Sequence, residues 1–350
     1  MATFKINKVV LEEFEKLYAQ GVIKKNGKPI KYLGGAEAMG AGVAFDANDF
    51  SKKQILWDGE NHGGTMTICQ INDNGDFYAN ERFYPIFDAP NCVVVYGKLI
   101  DNEYKMSEVQ IIPYLHRFDV IDVGNEKIFV GATLAKSKEN KDDWSKPGEI
   151  LIGKLNEDAE KPFELTVLQG GITKNHGYCT TNYNGKRVIL ITGVEGLFCI
   201  YIPEKFEDVW QVEKMMSIEI SDACTVDIDN DGQDEIVTIE GFHGNELNVY
   251  KKDGSGWKKI FTKAIEFGHG LWGGKLLGEN RFIAGWRQGT KELVCFSYKD
   301  GKIEESVIGA GGTSQFSVWE QDNKAYILSA DRQANGQIGQ LVIYTLDASN

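Results

Sequence analysis

The sharpest chemical motif in the sequence is Asp227-Ile228-Asp229-Asn230-Asp231-Gly232-Gln233-Asp234-Glu235. Carboxylates stand at its first, third, fifth and ninth positions, Gly232 allows a tight turn at the sixth, and Gln233 offers a backbone carbonyl at the seventh. That oxygen set is the kind of cage Ca²⁺ prefers. An EF-hand would also need a helix on each side and a Glu at position twelve. Here β-forming runs flank the loop and Thr238 occupies that position. One structural Ca²⁺ is therefore expected, held by Asp227, Asp229, Asp231, Gln233 and Glu235. Elsewhere the loop is degraded: Asn72-Asp73-Asn74-Gly75-Asp76 keeps part of it, and Asn182-Tyr183-Asn184-Gly185 keeps only the turn.

The second candidate set is the five histidines. His62 (Asn-His-Gly-Gly), His116 (Leu-His-Arg-Phe), His176 (Asn-His-Gly-Tyr) and His269 (Gly-His-Gly-Leu) each stand immediately before a strand-like run, whereas His243 (Phe-His-Gly-Asn) follows one. A single His-Gly pair is an ordinary turn, but five in equivalent places point to a shared site. Neutral imidazoles can hold a transition metal, and His62, His176 and His269 are the expected ligands of an ion such as Mn²⁺ or Zn²⁺. Alternatively His116 or His176 acts as a general base near neutral pH while Arg287 and Arg332 hold a developing enolate charge. Tyr178 is grouped with these catalytic candidates. Trp272, Glu195, His243, Gln315 and Arg82 are expected to contact substrate.

Short β runs recur along the chain and must position these groups. Val93-Val94-Val95-Tyr96-Gly97, Ile150-Leu151-Ile152-Gly153, Phe198-Cys199-Ile200-Tyr201, Leu247-Asn248-Val249-Tyr250, Leu293-Val294-Cys295-Phe296 and Leu341-Val342-Ile343-Tyr344 are separated by 57, 48, 49, 46 and 48 residues. Four strands per repeat of about 50 residues is the pattern of propeller blades. The expected fold is an all-β propeller of four-stranded antiparallel blades, six of which are read directly, with innermost strands beginning near Thr65, Phe118, Tyr178, Cys224, Leu271 and Phe316. The last blade lacks a fourth strand, so an N-terminal segment must close it. Gln54-Ile55-Leu56-Trp57 fits, and so does the run from Phe4 to Val10, which would require residues 22–60 to help build a seventh blade. Leu11, Phe14, Leu17 and Tyr18 share a helical face ending near Gly21, which predicts one short helix. On this basis residues 1–53 are an N-terminal extension and residues 54–350 are the propeller. In such blades the loops entering first strands and those joining second to third strands share a face. That places the five His on one face and the acidic loop on the other.

With an acidic loop between first and second strands, the sequence resembles the FG-GAP/VCBS repeat propellers. The match is specific over residues 222–250. It is weaker from Gly268-His269-Gly270-Leu271-Trp272 through Gly285-Trp286-Arg287, and in Ala330-Asp331-Arg332-Gln333-Ala334-Asn335. The Gly-His-Gly-Leu-Trp and Gly-Trp-Arg segments look most like propellers of the aldos-2-ulose dehydratase type. Ulvan lyases and rhamnose–glucuronate lyase are also similar, being propellers with His, Tyr and Arg in the funnel, and oligogalacturonate lyases place a His-bound Mn²⁺ there. The resemblance implies a carbohydrate-active lyase or dehydratase catalysing β-elimination on a sugar or a uronic-acid-containing oligosaccharide. The alternative it leaves is a non-catalytic Ca²⁺-binding propeller that holds a carbohydrate or protein partner.

Composition narrows the partners. With 38 Lys+Arg against 51 Asp+Glu, the net charge is −13, which disfavours nucleic acid. The 39 Gly, 7 Pro, 18 Phe, 14 Tyr and 7 Trp suit short strands and tight turns. No apolar run has membrane-spanning length. Met1-Ala2-Thr3-Phe4-Lys5 leads into no apolar signal core. Cys69, Cys92, Cys179, Cys199, Cys224 and Cys295 form no CxxC pair. Buried reduced thiols in a cytoplasmic protein are expected. A funnel gathering His and Arg would suit an anionic sugar despite the acidic whole.

Overall fold

The computed structural model describes residues 4–60, 62–84, 86–336 and 338–348. Its strands form seven four-stranded sheets, the blades of an all-β propeller. The chain divides into two compact units. One comprises Leu11–Asn175 with Pro203–Trp210, and the other comprises the chain up to Val10, His176–Ile202 and the chain from Gln211 onward.

The first unit holds three blades: Leu17–Lys25 through Asp49–Trp57, Ile68–Gln70 through Glu103–Ile111, and Leu115–Val123 through Thr166–Ile172. The second holds Tyr178–Tyr183 through Gln211–Met216, Ile220–Val226 through Gly256–Ala264, and Gly268–Leu276 through Lys302–Gly309, together with the sheet of Thr313–Gln321, Lys324–Asn335 and Ile338–Ala348. Phe4–Glu15 is the fourth strand of that last sheet.

Strand position within a blade was written in the residue pattern. Second strands are covered on both faces and read as unbroken apolar runs: Val188, Ile189, Leu190 and Ile191 are all fully buried. Outermost strands alternate instead, as in Gly256–Ala264, where Trp257, Phe261 and Lys263 are half-buried between exposed neighbours. Side chains from facing sheets interdigitate to make the core. Within one sheet of the second unit, Phe282 stacks on its ladder partner Phe296 with centroids 4.4 Å apart and planes 7° apart.

Two expectations about the N-terminal segment are corrected. Leu11 to Tyr18 is not a helix: it contains the end of Phe4–Glu15 and the start of Leu17–Lys25, joined at Lys16 with φ 55°. The flanking runs Val9-Val10 and Val22-Ile23 favour strand, and ladder partners on both sides outweigh one amphipathic turn. Nor is residues 1–53 an extension preceding the blades. Leu17–Trp57 builds a complete blade, so the propeller has seven, and a boundary at residue 53 would cut the strand Asp49–Trp57. Gln54 to Trp57 thus belongs to its own blade, while Phe4–Glu15 lies beside Ile338–Ala348, with Lys8 Nζ donating to Gln340 Oε1 at 2.9 Å. Ala330 to Asn335 is the end of the strand Lys324–Asn335.

The six cysteines are free thiols, and burial pushes Cys295 up to about 11 and Cys92 up to about 12, which leaves both inert at neutral pH. No helix among the described residues is long and apolar enough to cross a membrane.

Because Phe282 is fully buried against Phe296, Phe282→Ala should lower unfolding free energy by about 3–5 kcal/mol. Denaturant titration of the two proteins measures this, and an unchanged midpoint would contradict the packing described.

Candidate functional site

The second unit brings three imidazoles together. His176 directly precedes the strand pair that begins at Tyr178, His243 sits in the turn between Glu235–Glu240 and Glu246–Asp253, and His269 is the second residue of Gly268–Leu276. Ring centroids are 4.8 Å apart for His176 and His243, 4.6 Å for His176 and His269, and 5.2 Å for His243 and His269. One ring nitrogen from each lies within 4.8 Å of the other two. His176 and His269 are buried, and His243 is half-buried.

Local sequence explains this convergence. The Gly177 N–H donates to Thr192 Oγ1 at 2.9 Å, and Thr192 Oγ1 donates to the Ser221 carbonyl at 2.8 Å. A Cβ on Gly177 would come within 2.7 Å of both Thr192 Oγ1 and Asp222 Oδ1, so the residue after His176 must be glycine. A Cβ on Gly244 would lie 1.5 Å from the Glu240 carbonyl oxygen, which restricts the residue after His243 in the same way. His243 itself adopts φ 50° and Phe267 adopts φ 59°, left-handed conformations that cost non-glycine residues of order 1 kcal/mol each.

Hydrogen bonds orient the rings. His269 Nδ1–H donates to the Ser314 carbonyl at 2.6 Å, so in the neutral ring the lone pair is on Nε2. Ser221 Oγ accepts the His243 backbone N–H at 3.3 Å and lies 3.3 Å from His176 Nδ1, so one hydroxyl positions two of the histidines. Phe267 forms an aromatic wall, stacked 4.4 Å from His243 and 6.1 Å from His269. Phe242 meets His243 at 4.2 Å and the edge of His176 at 5.8 Å. Behind Phe267 the buried Arg287 guanidinium lies 4.9 Å from the ring centroid, and its Nε–H donates to Gln333 Oε1 at 3.0 Å. Arg332 is buried one residue before Gln333, its backbone N–H donating to the Gly312 carbonyl at 3.0 Å.

The other sequence candidates occupy the following strands, turns and contacts. Tyr178 pairs with Ile191 in its ladder, Glu195 lies in the turn before Gly196–Tyr201, and Gln315 pairs with Ala330. Trp272 lines a separate 520 Å³ cleft with Leu276, Val318 and Trp319. In the first unit, His116 is buried with its ring 5.1 Å from Phe83. His62 Nδ1 is 2.6 Å from Glu81 Oε2, and Arg82 is paired with Glu108. Burial raises the Glu81 carboxyl above its ordinary range, an effect His62 opposes. The expected metal triad joined His62 to His176 and His269, whereas the imidazole that meets the latter two is His243. Phe242, Phe267, Ser221 and Gln333 escaped sequence reasoning. Their only signal was adjacency, since Phe242 precedes His243 directly and Phe267 stands two residues before His269.

No protein-family profile matches the sequence, and no curated protein sequence is detectably similar to it. Solved structures are similar in fold. Saccharomyces cerevisiae Sqt1 is 10% identical with a TM-score of 0.58, each chain being covered over 100% of its length. A Bacteroides uniformis protein provisionally assigned as a 6-phosphogluconolactonase is 13% identical with a TM-score of 0.52, covering 96% of this chain and 91% of its own. A chain of the mitotic checkpoint complex is 7% identical with a TM-score of 0.60, covering 100% of this chain and 93% of its own. At these identities the likeness supports the propeller fold and carries nothing about chemistry.

Beside Arg332, the buried Asp331 accepts hydrogen bonds from Ser329 Oγ at 2.5 Å and Tyr344 Oη at 2.6 Å, yet burial still raises its carboxyl above the ordinary 3.8. The native state therefore binds more protons than the unfolded chain between those two values, and its stability falls as pH rises from about 4 through the raised pKa. Asp331→Asn should abolish that part of the fall. Denaturation midpoints of both proteins across this range would test it, and parallel pH profiles would contradict the assignment.

Proposed function

We propose that the protein is a carbohydrate-active carbon–oxygen lyase or dehydratase. It would remove a proton next to a carbonyl or carboxylate of a sugar and expel an oxygen from the neighbouring carbon. The observation that carries this reading is the meeting of His176, His243 and His269 with the His269 tautomer set by a backbone carbonyl. A divalent transition ion such as Mn²⁺ or Zn²⁺ held by those imidazoles would supply Lewis acidity toward the substrate's carbonyl or carboxylate oxygen.

The protein's own groups supply the rest. Arg287, fixed between Phe267 and Gln333, is a preorganised cation for an anionic sugar, and Arg332 is the proposed second clamp. Phe242 and Phe267 exclude water on one side of the imidazoles, which strengthens any charge interaction there. If the imidazoles hold no ion and proton abstraction falls to them instead, His176 is the acceptor, with Ser221 Oγ beside its Nδ1 fixing the ring. The two segments that resemble dehydratase-type propellers carry His269 and Arg287, so the resemblance and the geometry point to the same residues. The resemblance to FG-GAP propellers stands with this proposal and rests on the 222–250 segment.

Metal analysis of the purified protein should find one transition ion per chain, lost in the His243→Ala/His269→Ala double variant. Ultraviolet detection of unsaturated products from uronic-acid and keto-sugar substrates should show elimination falling at least 100-fold in the same variant. Sugar binding without any elimination product would instead favour the non-catalytic binding propeller.

Ser221→Ala removes the hydroxyl shared by His176 and His243 but leaves all three imidazoles. It should weaken the ion's affinity about 10–100-fold, as loss of an orienting partner does. Titration against a competing chelator would measure this, and unaltered affinity would remove Ser221 from the proposed role.

A further inference from the structure

The acidic loop of the second unit brings carboxylate oxygens of Asp227, Asp229 and Glu235 within 4.8 Å of one another, the spacing of a metal site, but a lysine side chain already stands among them. Four of the eight carboxylate oxygens on Asp227, Asp229, Asp231 and Glu235 accept backbone N–H groups. Asp227 Oδ1 and Oδ2 accept the N–H groups of Asp231 and Gly232, each at 3.0 Å. Asp231 Oδ1 accepts the Gln233 N–H at 3.0 Å, and Glu235 Oε2 accepts the Ile228 N–H at 2.9 Å. Of the remaining oxygens, Asp229 Oδ2, Asp231 Oδ2 and Glu235 Oε1 face Lys251, and Asp229 Oδ1 is buried without a hydrogen-bond partner. Lys251 Nζ donates to Asp229 Oδ2, lies 2.7 Å from Asp231 Oδ2, and lies 3.4 Å from Glu235 Oε1. An ammonium has three donors, and three carboxylates surround this one.

Strand register puts it there. Tyr250 pairs with Ile236 in the ladder between Glu235–Glu240 and Glu246–Asp253, so the next residue, Lys251, falls across from Glu235. Glu235 is fully buried, and a carboxylate there without a compensating cation would be costly. Neighbouring blades hold the loop's outline without an ion. Asp234 and Asn184 exchange backbone–side-chain bonds, while Asn280 Nδ2 donates to the Asp227 carbonyl at 2.7 Å and to Asn230 Oδ1 at 3.1 Å.

The degraded loop in the first unit is satisfied in the same manner. Asp76 accepts from Tyr96 Oη at 2.9 Å, Asn72 Nδ2 at 2.8 Å and the Leu99 N–H at 2.9 Å.

We propose that Lys251 is a built-in cation that occupies the divalent-ion position of the 227–235 loop, so that this turn is held without Ca²⁺ and becomes a Ca²⁺ site only when the ammonium is removed. The lysyl charge is permanent, tethered and present at every Ca²⁺ concentration, whereas an ion of six to eight oxygen ligands would have to displace it and recruit donors now bonded to backbone. This inference stands apart from the lyase reading and does not depend on it.

The test compares the full chain with Lys251→Met, which keeps most of the stem and removes the charge, in EGTA and in millimolar CaCl₂. The wild-type melting temperature should be the same in both, with no stoichiometric Ca²⁺ binding by calorimetry. Lys251→Met should melt lower in EGTA, by roughly 5 °C or more, and regain stability with one Ca²⁺ per chain. Lys251→Arg should stay Ca²⁺-independent, which provides a folded variant if Lys251→Met fails to fold. Wild-type protein that binds one Ca²⁺ at micromolar affinity and loses stability in EGTA would overturn the proposal. So would a Lys251→Met protein as stable in EGTA as wild type.

Discussion

Three imidazoles with centroids 4.6 to 5.2 Å apart cannot all be cations. Two unit charges about 5 Å apart repel by roughly 3 kcal/mol at an effective dielectric of 20. Rings packed this closely persist as a group only when neutral, each with one N–H and one lone pair, or when they share a positive charge. His269 donates its Nδ1–H to the Ser314 carbonyl, which in the neutral ring leaves the lone pair on Nε2. Its other nitrogen then faces the cluster as a base or a ligand. The neighbouring groups are compatible with neutral rings: aromatic faces from Phe242 and Phe267, one bridging hydroxyl from Ser221, and a guanidinium held behind a phenyl ring.

Holding that arrangement requires unfavourable local backbone. His243 and Phe267 both sit at positive φ without being glycine, and the residues after His176 and His243 tolerate no Cβ. Isolated loops would relax such geometry. Here the loops are anchored by second strands that are among the most buried segments, such as Ile236 to Ile239 and Phe282 to Trp286. Burial of those apolar runs offsets the strain at their ends, so the blade core and the site are energetically linked even where they share no contact.

Much of this was legible in the residues. Apolar runs at a spacing near 48 residues specified four-stranded blades, because a strand covered on both faces has to be apolar throughout. The N-terminal segment misled because Leu11, Phe14, Leu17 and Tyr18 fit a helical face and also fit two strands broken at Lys16. The ladder of Leu17–Lys25 with Lys28–Ala36 and the partner strand Ile338–Ala348, more than three hundred residues away, distinguish these. His176 and His269 could be placed by their position before a first strand. His243 was placed on the same face, but nothing in its spacing showed that it would complete a triad with them. Lys251 was invisible as a loop component because it belongs to the third strand, and its role depends on a ladder register that no local motif encodes.

The two ends of one blade therefore treat positive charge in opposite ways. Ser221 lies at the start of Ile220–Val226, beside the imidazoles, and the acidic loop follows the end of the same strand. Carboxylate oxygens are hard donors and would compete for Mn²⁺ as well as Ca²⁺, whereas imidazoles favour Mn²⁺ less and Zn²⁺ more. An open oxygen cage in the same molecule would take part of any limiting ion and tie turn stability to its supply. On the proposal made for Lys251, one tethered positive charge offsets part of the cage's negative charge and takes the place an exchangeable cation would use.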